Sequence, residues 1–546
     1  MIRCCGLLDL FATYQKAKRS ARTIAKIMRS IRALFFAVIS FTALAVASDA
    51  QTTSPFDPAE PFKLTVGKSF TASGSTSART SSQISSELIE AERTILKNYA
   101  GGGKADPDSL LRASIVGGLR TLDPHSNFFD AKEWKEMLAE EQSGYSGIGT
   151  TIGEFTRNGE TSTYVLDTIA GSAAEKAKLR FGDKIIAIDG RSMKGKSIDD
   201  IREALRGTDG SFVCLTIERS ATLRAETVEL RRSTIGQPSI PDHYLIRPGV
   251  GYVDMSEGFT YTTYDELDSA VRELKRQGAS SMILDLRGNP GGIVEQAVKV
   301  AERFLPAGSL ILTQRGRSAA DNRDWYSANK TPETMPLIVL TDGQTASASE
   351  IVAGAFQDND RALIIGRRTF GKGLVQSVID TPLGTGITLT AARYLTPSGR
   401  SIQRNYANVD LYDYYNHVTP AAAIDTPFFE ARTKNGRRVF GGNGIAPDKE
   451  VAPAALTQGD VKMLDPIFFY IRDGVNGRGP TTSAAFLRDV RSTGSTDYID
   501  LRIRYESAVA ATNSIHAKRI IDASDPQILA ALDELHRTDL LSKLSK

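Results

Sequence analysis

Cysteine is nearly absent from this chain: three among 546 residues, at positions 4, 5 and 214. Cys4 and Cys5 lie ahead of an apolar run and would leave with it, so Cys214 would stand alone and no intramolecular disulfide could form. An oxidising compartment is permitted but not exploited. Cys214 sits inside an apolar strand-like stretch and reads as a small buried hydrophobe. No His/Cys/Asp spacing of a metal site occurs, so neither a metal nor another cofactor is implied. The apolar run Ala33–Ala47 has 15 residues, short of the about 20 that a membrane-spanning helix needs. A basic stripe is missing as well. Residues 1–32 hold eight Lys/Arg against one Asp, so the formal charge of +3 becomes −4 for the remainder, which argues against a nucleic-acid partner.

The basic n-region and its apolar run are the parts of a secretory signal. Ala45-Val46-Ala47 and Ser48-Asp49-Ala50 both place small residues where cleavage would occur. We expect a signal peptide over 1–47 and an exported protein, periplasmic or extracellular, with an uncleaved anchor as the lesser alternative. A start at Met28 would give a more usual signal length. At 546 residues several domains are expected. Residues 48–83 are Ser/Thr-rich and read as a linker, and 84–143 as helices, from apolar spacing in Ile84–Tyr99, Leu110–Leu122 and Trp134–Glu141. Residues 144–232 form a compact, mainly-β unit. Residues 233–455 alternate strands and helices, with Met282–Leu286 and Leu337–Thr341 as apolar strands covered on both faces. Residues 456–546 return to helical patterns, consistent with packing, dimerisation or a lid.

Chemistry concentrates in Thr345-Ala346-Ser347-Ala348-Ser349-Glu350 and Phe370-Gly371-Lys372-Gly373-Leu374-Val375-Gln376. The first run follows a strand and opens a helix, where backbone N–H groups favour a developing negative charge. Lys372 precedes an alternating strand, and positions 372 and 376 share parity, so Lys372 and Gln376 are expected on one side of it. A serine, an amine base and an orienting amide are the parts of a Ser/Lys nucleophilic site. Each also has a plainer reading. Ser347-Ala348-Ser349-Glu350 fits a helix capping box, Lys372 a solvated turn, Gln376 an ordinary strand residue. Asp285 and Arg287 read as a structural ion pair, and His125 as part of a fixed turn.

These runs resemble the C-terminal processing peptidases, or tail-specific proteases. Their Ser-Ala-Ser-Ala-Ser-Glu and Phe-Gly-Lys-Gly-x-x-Gln signatures are matched here with Thr345 in place of the first serine. Leu122-Asp123-Pro124-His125-Ser126, Asp285-Leu286-Arg287-Gly288-Asn289-Pro290-Gly291-Gly292, Tyr394–Gln403 and Gly444-Ile445-Ala446-Pro447-Asp448 follow in order, covering most of 122–448. Residues 404–440 are an aromatic insertion between two of these segments. The resemblance implies an α/β crotonase-like (ClpP/crotonase-type) peptidase core over 233–455 and helical N- and C-terminal segments. Ser347 would be nucleophile, Lys372 general base and Gln376 its partner. Oxyanion donors would be the N–H of Ala348 and one from the Gly291–Gly292 pair. The 144–232 unit, with Gly182-Asp183-Lys184-Ile185-Ile186-Ala187-Ile188-Asp189-Gly190, resembles a PDZ domain.

Such a domain would bind a substrate's C-terminus by strand addition. Gly147, Ile148 and Gly149 would face the carboxylate, and Ile201 and Leu205 would flank the groove; the plainer reading is that the glycines only shape a turn. The expected activity is an exported Ser/Lys endopeptidase acting on proteins recognised by their C-terminal tails. An adaptor protein or a homo-oligomer is compatible with it. A catalytically silent peptide-binding adaptor and a crotonase-like acyl-CoA-handling protein are the alternatives.

Overall fold

The computed structural model describes residues 65–66 and 79–536, apart from 102–104, 142–143, 408, 416–428, 479–485 and 487–493. The expected signal, and all of the expected linker but residues 65–66 and its last few, lie outside the described residues. Three N-terminal helices come first: α1 (Ser81–Asn98), α2 (Pro107–Arg120) and α3 (Ala131–Glu141). Each begins about a turn before its apolar pattern because the first turn is polar and set by a cap: Thr80, Asp106 or Asp130 accepts from the N–H three residues on. Between α2 and α3, Asn127–Phe129 forms a short strand, β1, that pairs with a strand some 260 residues later.

The small β unit runs through β2 (Gly144–Gly147), β3 (Thr150–Arg157), β4 (Glu160–Thr168), β5 (Lys184–Ile188), helix α4 (Ile198–Leu205), β6 (Phe212–Glu218) and β7 (Ala225–Arg231). Its antiparallel sheet has the order β3-β4-β5-β6-β7, leaving β3 as an edge. Strand β8 (Ser233–Gly236) returns to pair with β2, closing the unit where it was entered. In β6 the side chains alternate: Val213, Leu215 and Ile217 are fully buried with Val165, Ile185 and Ile201. Cys214 therefore points to the other face and is half-buried. The expectation of a buried Cys214 is corrected by this period of two.

The larger unit holds β9 (His243–Arg247), β10 (Val250–Asp254), α5 (Thr263–Arg276), β11 (Ser281–Asp285), α6 (Val294–Phe304), β12 (Leu310–Gly316), β13 (Arg323–Tyr326), β14 (Leu337–Thr341), α7 (Ala348–Asp358), β15 (Leu363–Gly366), β16 (Leu374–Asp380), β17 (Gly386–Leu395) and β18 (Lys449–Glu450). Its main sheet has the order β9-β10-β11-β14-β15-β18, parallel except for β9. Helices α5, α6 and α7 cover one face around Val253, Leu284, Val339, Phe304 and Phe356, which is why β11 and β14 read as unbroken apolar runs. A second, antiparallel sheet, β13-β12-β17-β16, carries β1 on β17.

After a short helical turn at Gln458–Lys462, four longer helices finish the described chain: α8 (Leu464–Gly474), α9 (Thr496–Ala511), α10 (Ser514–Asp522) and α11 (Pro526–His536). On α11, Ile528, Ala531 and Leu532 cover the second face of the main sheet against Ile283, Ile338 and Leu340. On α8, Phe468 stacks on Phe155 of β3 with ring centroids 3.6 Å apart. The C-terminal helices are thus packing elements for both units.

Candidate active site

Ser347 stands between β14 and α7 on a turn that leaves it little choice of position. Asp342 Oδ1 accepts from the N–H of Gly288, Gln344 and Thr345. The buried Thr345 donates its hydroxyl to Leu286 O at 2.8 Å, so the departure from serine keeps the bond-making group. At Ser347 the backbone takes φ 55° and ψ −116°, a region that costs a non-glycine residue about 1–3 kcal/mol and persists only where the surroundings enforce it.

Glu350 provides that enforcement. The expected capping box is present in part: Glu350 Oε2 accepts from Ser347 N at 2.9 Å. The same oxygen accepts from Lys372 N at 2.8 Å, while Oε1 takes Gly371 N at 2.7 Å and the Thr369 hydroxyl at 2.5 Å. Three of these partners are backbone N–H groups that only donate, which favours the carboxylate, while burial outweighs the four donors and leaves its pKa above the ordinary glutamate value. A second clamp comes from Tyr394, whose hydroxyl reaches the carbonyls of both Ser347 and Lys372 at 3.0 Å. The nucleophile turn and the lysine loop are thereby tied together through two buried side chains. Lys372 is partly buried, and desolvation holds its amine below the ordinary lysine range against the opposing pull of Glu350 and Asp123.

Lys372 lies outside β16, which begins at Leu374, and the pairing shifts register after Val375. The parity argument for Lys372 and Gln376 therefore does not hold. Gln376 donates to Thr390 Oγ1 at 3.2 Å, and among the described residues no hydrogen bond joins it to Lys372. Thr390 N in turn donates to Ser126 Oγ, which donates to Asp123 Oδ2 at 2.8 Å. Asp123 Oδ1 accepts from the N–H of His125 and Ser126, fixing the expected turn. That turn also packs beside the base loop. His125 Nε2 lies 2.9 Å from Tyr414 Oη, its ring meets Phe370 edge-on, and burial, then the Lys372 charge, hold its pKa at about 3. Tyr414 comes from the 404–440 insertion, whose aromatic richness was visible but whose place was not.

The glycine turn after β11 abuts the serine. A Cβ on Gly291, at φ 96°, would lie 2.7 Å from Ser347 Cβ and 2.8 Å from Ala348 N. The Gly291 N–H is taken by Asn289 Oδ1 at 2.9 Å. Among the described residues no backbone or side-chain acceptor is bonded to the N–H of Gly292 or Ala348. Asp285 and Arg287 form the expected ion pair at 2.6 Å, extended by Arg287 to Asp525 at 2.9 Å.

On the small unit, a groove of about 620 Å³ runs along the start of β3, lined by Gly147, Ile148, Gly149 and Leu205. Ile201 does not reach it. Only the last turn of α4 extends to the sheet edge, and Ile201, 1% exposed, is spent in the core. A further wall comes from α10, which nothing in the sequence pattern placed there.

A strained serine wired to a partly buried lysine, beside a β unit with an open edge, is the outline of a serine peptidase with a peptide-binding module. Residues 249–413 match the model of peptidase family S41 and residues 164–219 that of the PDZ domain. The carboxy-terminal-processing protease of Bartonella bacilliformis is 36% identical over 304 residues, 55% of this chain and 68% of that one. The carboxyl-terminal-processing protease of a Picosynechococcus species is 34% identical over 288 residues, 52% and 67%. The carboxy-terminal processing protease CtpA of Bacillus subtilis is 32% identical over 333 residues, 61% and 69%. The chain belongs to the carboxy-terminal-processing proteases of family S41 and is a C-terminal processing protease with a PDZ domain. Among the described residues no helix is long and apolar enough to cross a membrane, and no His/Cys/Asp/Glu group has metal-binding geometry.

Proposed function

We propose that the protease works through a Ser347/Lys372 dyad. The observation that carries this is the shared anchoring of the two residues: both main-chain N–H groups on Glu350 Oε2, both carbonyls at the Tyr394 hydroxyl. Ser347 Oγ attacks the scissile carbonyl while neutral Lys372 Nζ takes its proton and passes it to the leaving amine. Desolvation lowers the pKa of the Lys372 amine and so enlarges the neutral fraction able to act as base. The N–H groups of Ala348 and Gly292 stabilise the oxyanion; Gly291, its N–H already used, serves by close approach. Water activated by Lys372 then hydrolyses the acyl-enzyme. Gln376 acts at one remove, through Thr390 and Ser126, rather than by touching the amine.

The core is a crotonase-like peptidase domain over 233–455, and the PDZ unit over 144–232 receives substrate C-termini in the Gly147–Gly149 groove. Residues 1–47 act as an export signal, and 48–83 as the linker to the helical 84–143 segment. The test is cleavage of an unfolded protein with an apolar C-terminal tail by wild type, Ser347→Ala and Lys372→Ala. Loss of activity in both variants, by about 10³-fold or more, is expected. Equal cleavage by Lys372→Ala would remove that residue as base. Unchanged cleavage by Ser347→Ala would leave the peptide-binding adaptor as the better reading.

A further inference from the structure

The tail groove has a third wall that belongs to neither β3 nor α4. Asn513, Ser514 and Ile515, the N-cap and first residues of α10, line it together with Leu205. That turn is firmly held. Ser514 donates its N–H at 2.8 Å and its hydroxyl at 3.0 Å to Asp167 Oδ2 on β4. Asn513 caps the helix by accepting from His516 N at 2.8 Å. Further along, Arg519 grips both carboxylate oxygens of Asp242 at 2.7 Å, and Lys518 pairs with Asp254 at 3.2 Å. Ile515 is nevertheless 41% exposed. An anchored helix therefore presents an uncovered apolar side chain to the groove, which Pro238 and Pro241 also line.

A peptide C-terminus suits this groove. The edge of β3 offers its backbone to an added strand, and Arg202 and Arg206 line the end near Gly147 with charge opposite to a terminal carboxylate. Side chains of an added strand alternate between the two sheet faces. One face is covered by α4, through Ile201 and Leu205. The other carries α8, α9 and α10, joined in one cluster by Phe155, Tyr164, Phe468, Ile499 and Ala517. With the last side chain of a bound tail on the α4 face, the penultimate one falls on the α10 face.

We infer that α10 is a second selectivity wall, with Ile515, Pro238 and Pro241 receiving the penultimate side chain of the tail and favouring an apolar one. This rests on the tail-binding reading proposed above. The test titrates full-length Ser347→Ala protein with fluorescent decapeptides that share a C-terminal residue and differ in the penultimate: Leu, Ala, Asp or Lys. Leu should bind about tenfold more tightly than Asp. Adding Ile515→Asp should erase or reverse that preference while leaving the ranking at the last position unchanged, with the melting temperature confirming the fold. The same penultimate preference with and without Ile515→Asp overturns the wall. Peptides that do not bind, or bind equally well with an amidated C-terminus, bring down the tail-binding reading and this one with it.

Discussion

Glu350 accepts four hydrogen bonds from two loops and acts electrostatically on the amine that the proposed dyad needs uncharged. Its negative charge favours protonated Lys372, so removing it should help deprotonation while loosening the geometry. Glu350→Gln should move the lysine-dependent limb of the kcat/KM profile to lower pH and cut kcat by about 10²-fold, since an amide cannot replace both acceptor oxygens. A limb that stays in place would detach Glu350 from Lys372. Gly291→Ala should abolish cleavage with little loss of binding, because its methyl would displace Ser347 Cβ. His125 gives a stability signature. Its folded pKa, about 3, lies below the ordinary 6.5. Between those values the unfolded chain binds a proton that the folded one refuses, so stability falls on acidification by up to about 1.4 kcal/mol per pH unit. Denaturant titrations of His125→Gln should show a flatter dependence across that window. Ser347 and Lys372 could be singled out as candidates because each sits in a continuous run of distinctive residues. Glu350 showed only its i to i+3 relation, since its bonds to residues 369–372 depend on the tertiary fold.

Elements were legible where one periodicity dominated. The buried strands β11 and β14 and the helices α6 and α7 follow from apolar runs and spacing, while β1 did not, because three residues paired across 260 positions leave no periodic trace. The period of two in β6 puts Val213, Leu215 and Ile217 inside and overturned the buried reading of Cys214, while parity failed for Lys372, which lies in a loop. The aromatic seam between α8 and β3 is a further case: Phe468 meets Phe155, Tyr164 and Phe181, yet the sequence shows only a helical apolar face. Phe468→Ala should cost about 3–5 kcal/mol, read as an earlier transition in urea. Once folded, the variant should cleave a short peptide at a rate near that of wild type, because the seam touches no residue of the Ser347 turn.

Across the molecule, residues 456–536 separate three roles that the sequence left open. A lid would touch the site and little else, and a dimer helix would leave an apolar face outward. Instead α11 buries Ile528, Ala531 and Leu532 on the main sheet, and α10 pairs Arg519 with Asp242 and Lys518 with Asp254. Deleting 456–546 would strip cover from Ile338, Leu340 and Ile365 at the centre of the parallel sheet, and from Phe155 and Tyr164 on the PDZ unit. Each large apolar side chain returned to water forfeits about 1.5–3 kcal/mol, so the loss over these positions is comparable to the whole 5–15 kcal/mol that holds a typical domain folded. The truncated chain should therefore give no cooperative thermal transition by circular dichroism. Leu532→Asp, a single charge forced between α11 and the sheet, should lower stability by about 4 kcal/mol or more. A truncated chain that melted cooperatively and cleaved peptides faster than the full one would mean that the segment is a lid, and that the packing of α11 is incidental to folding.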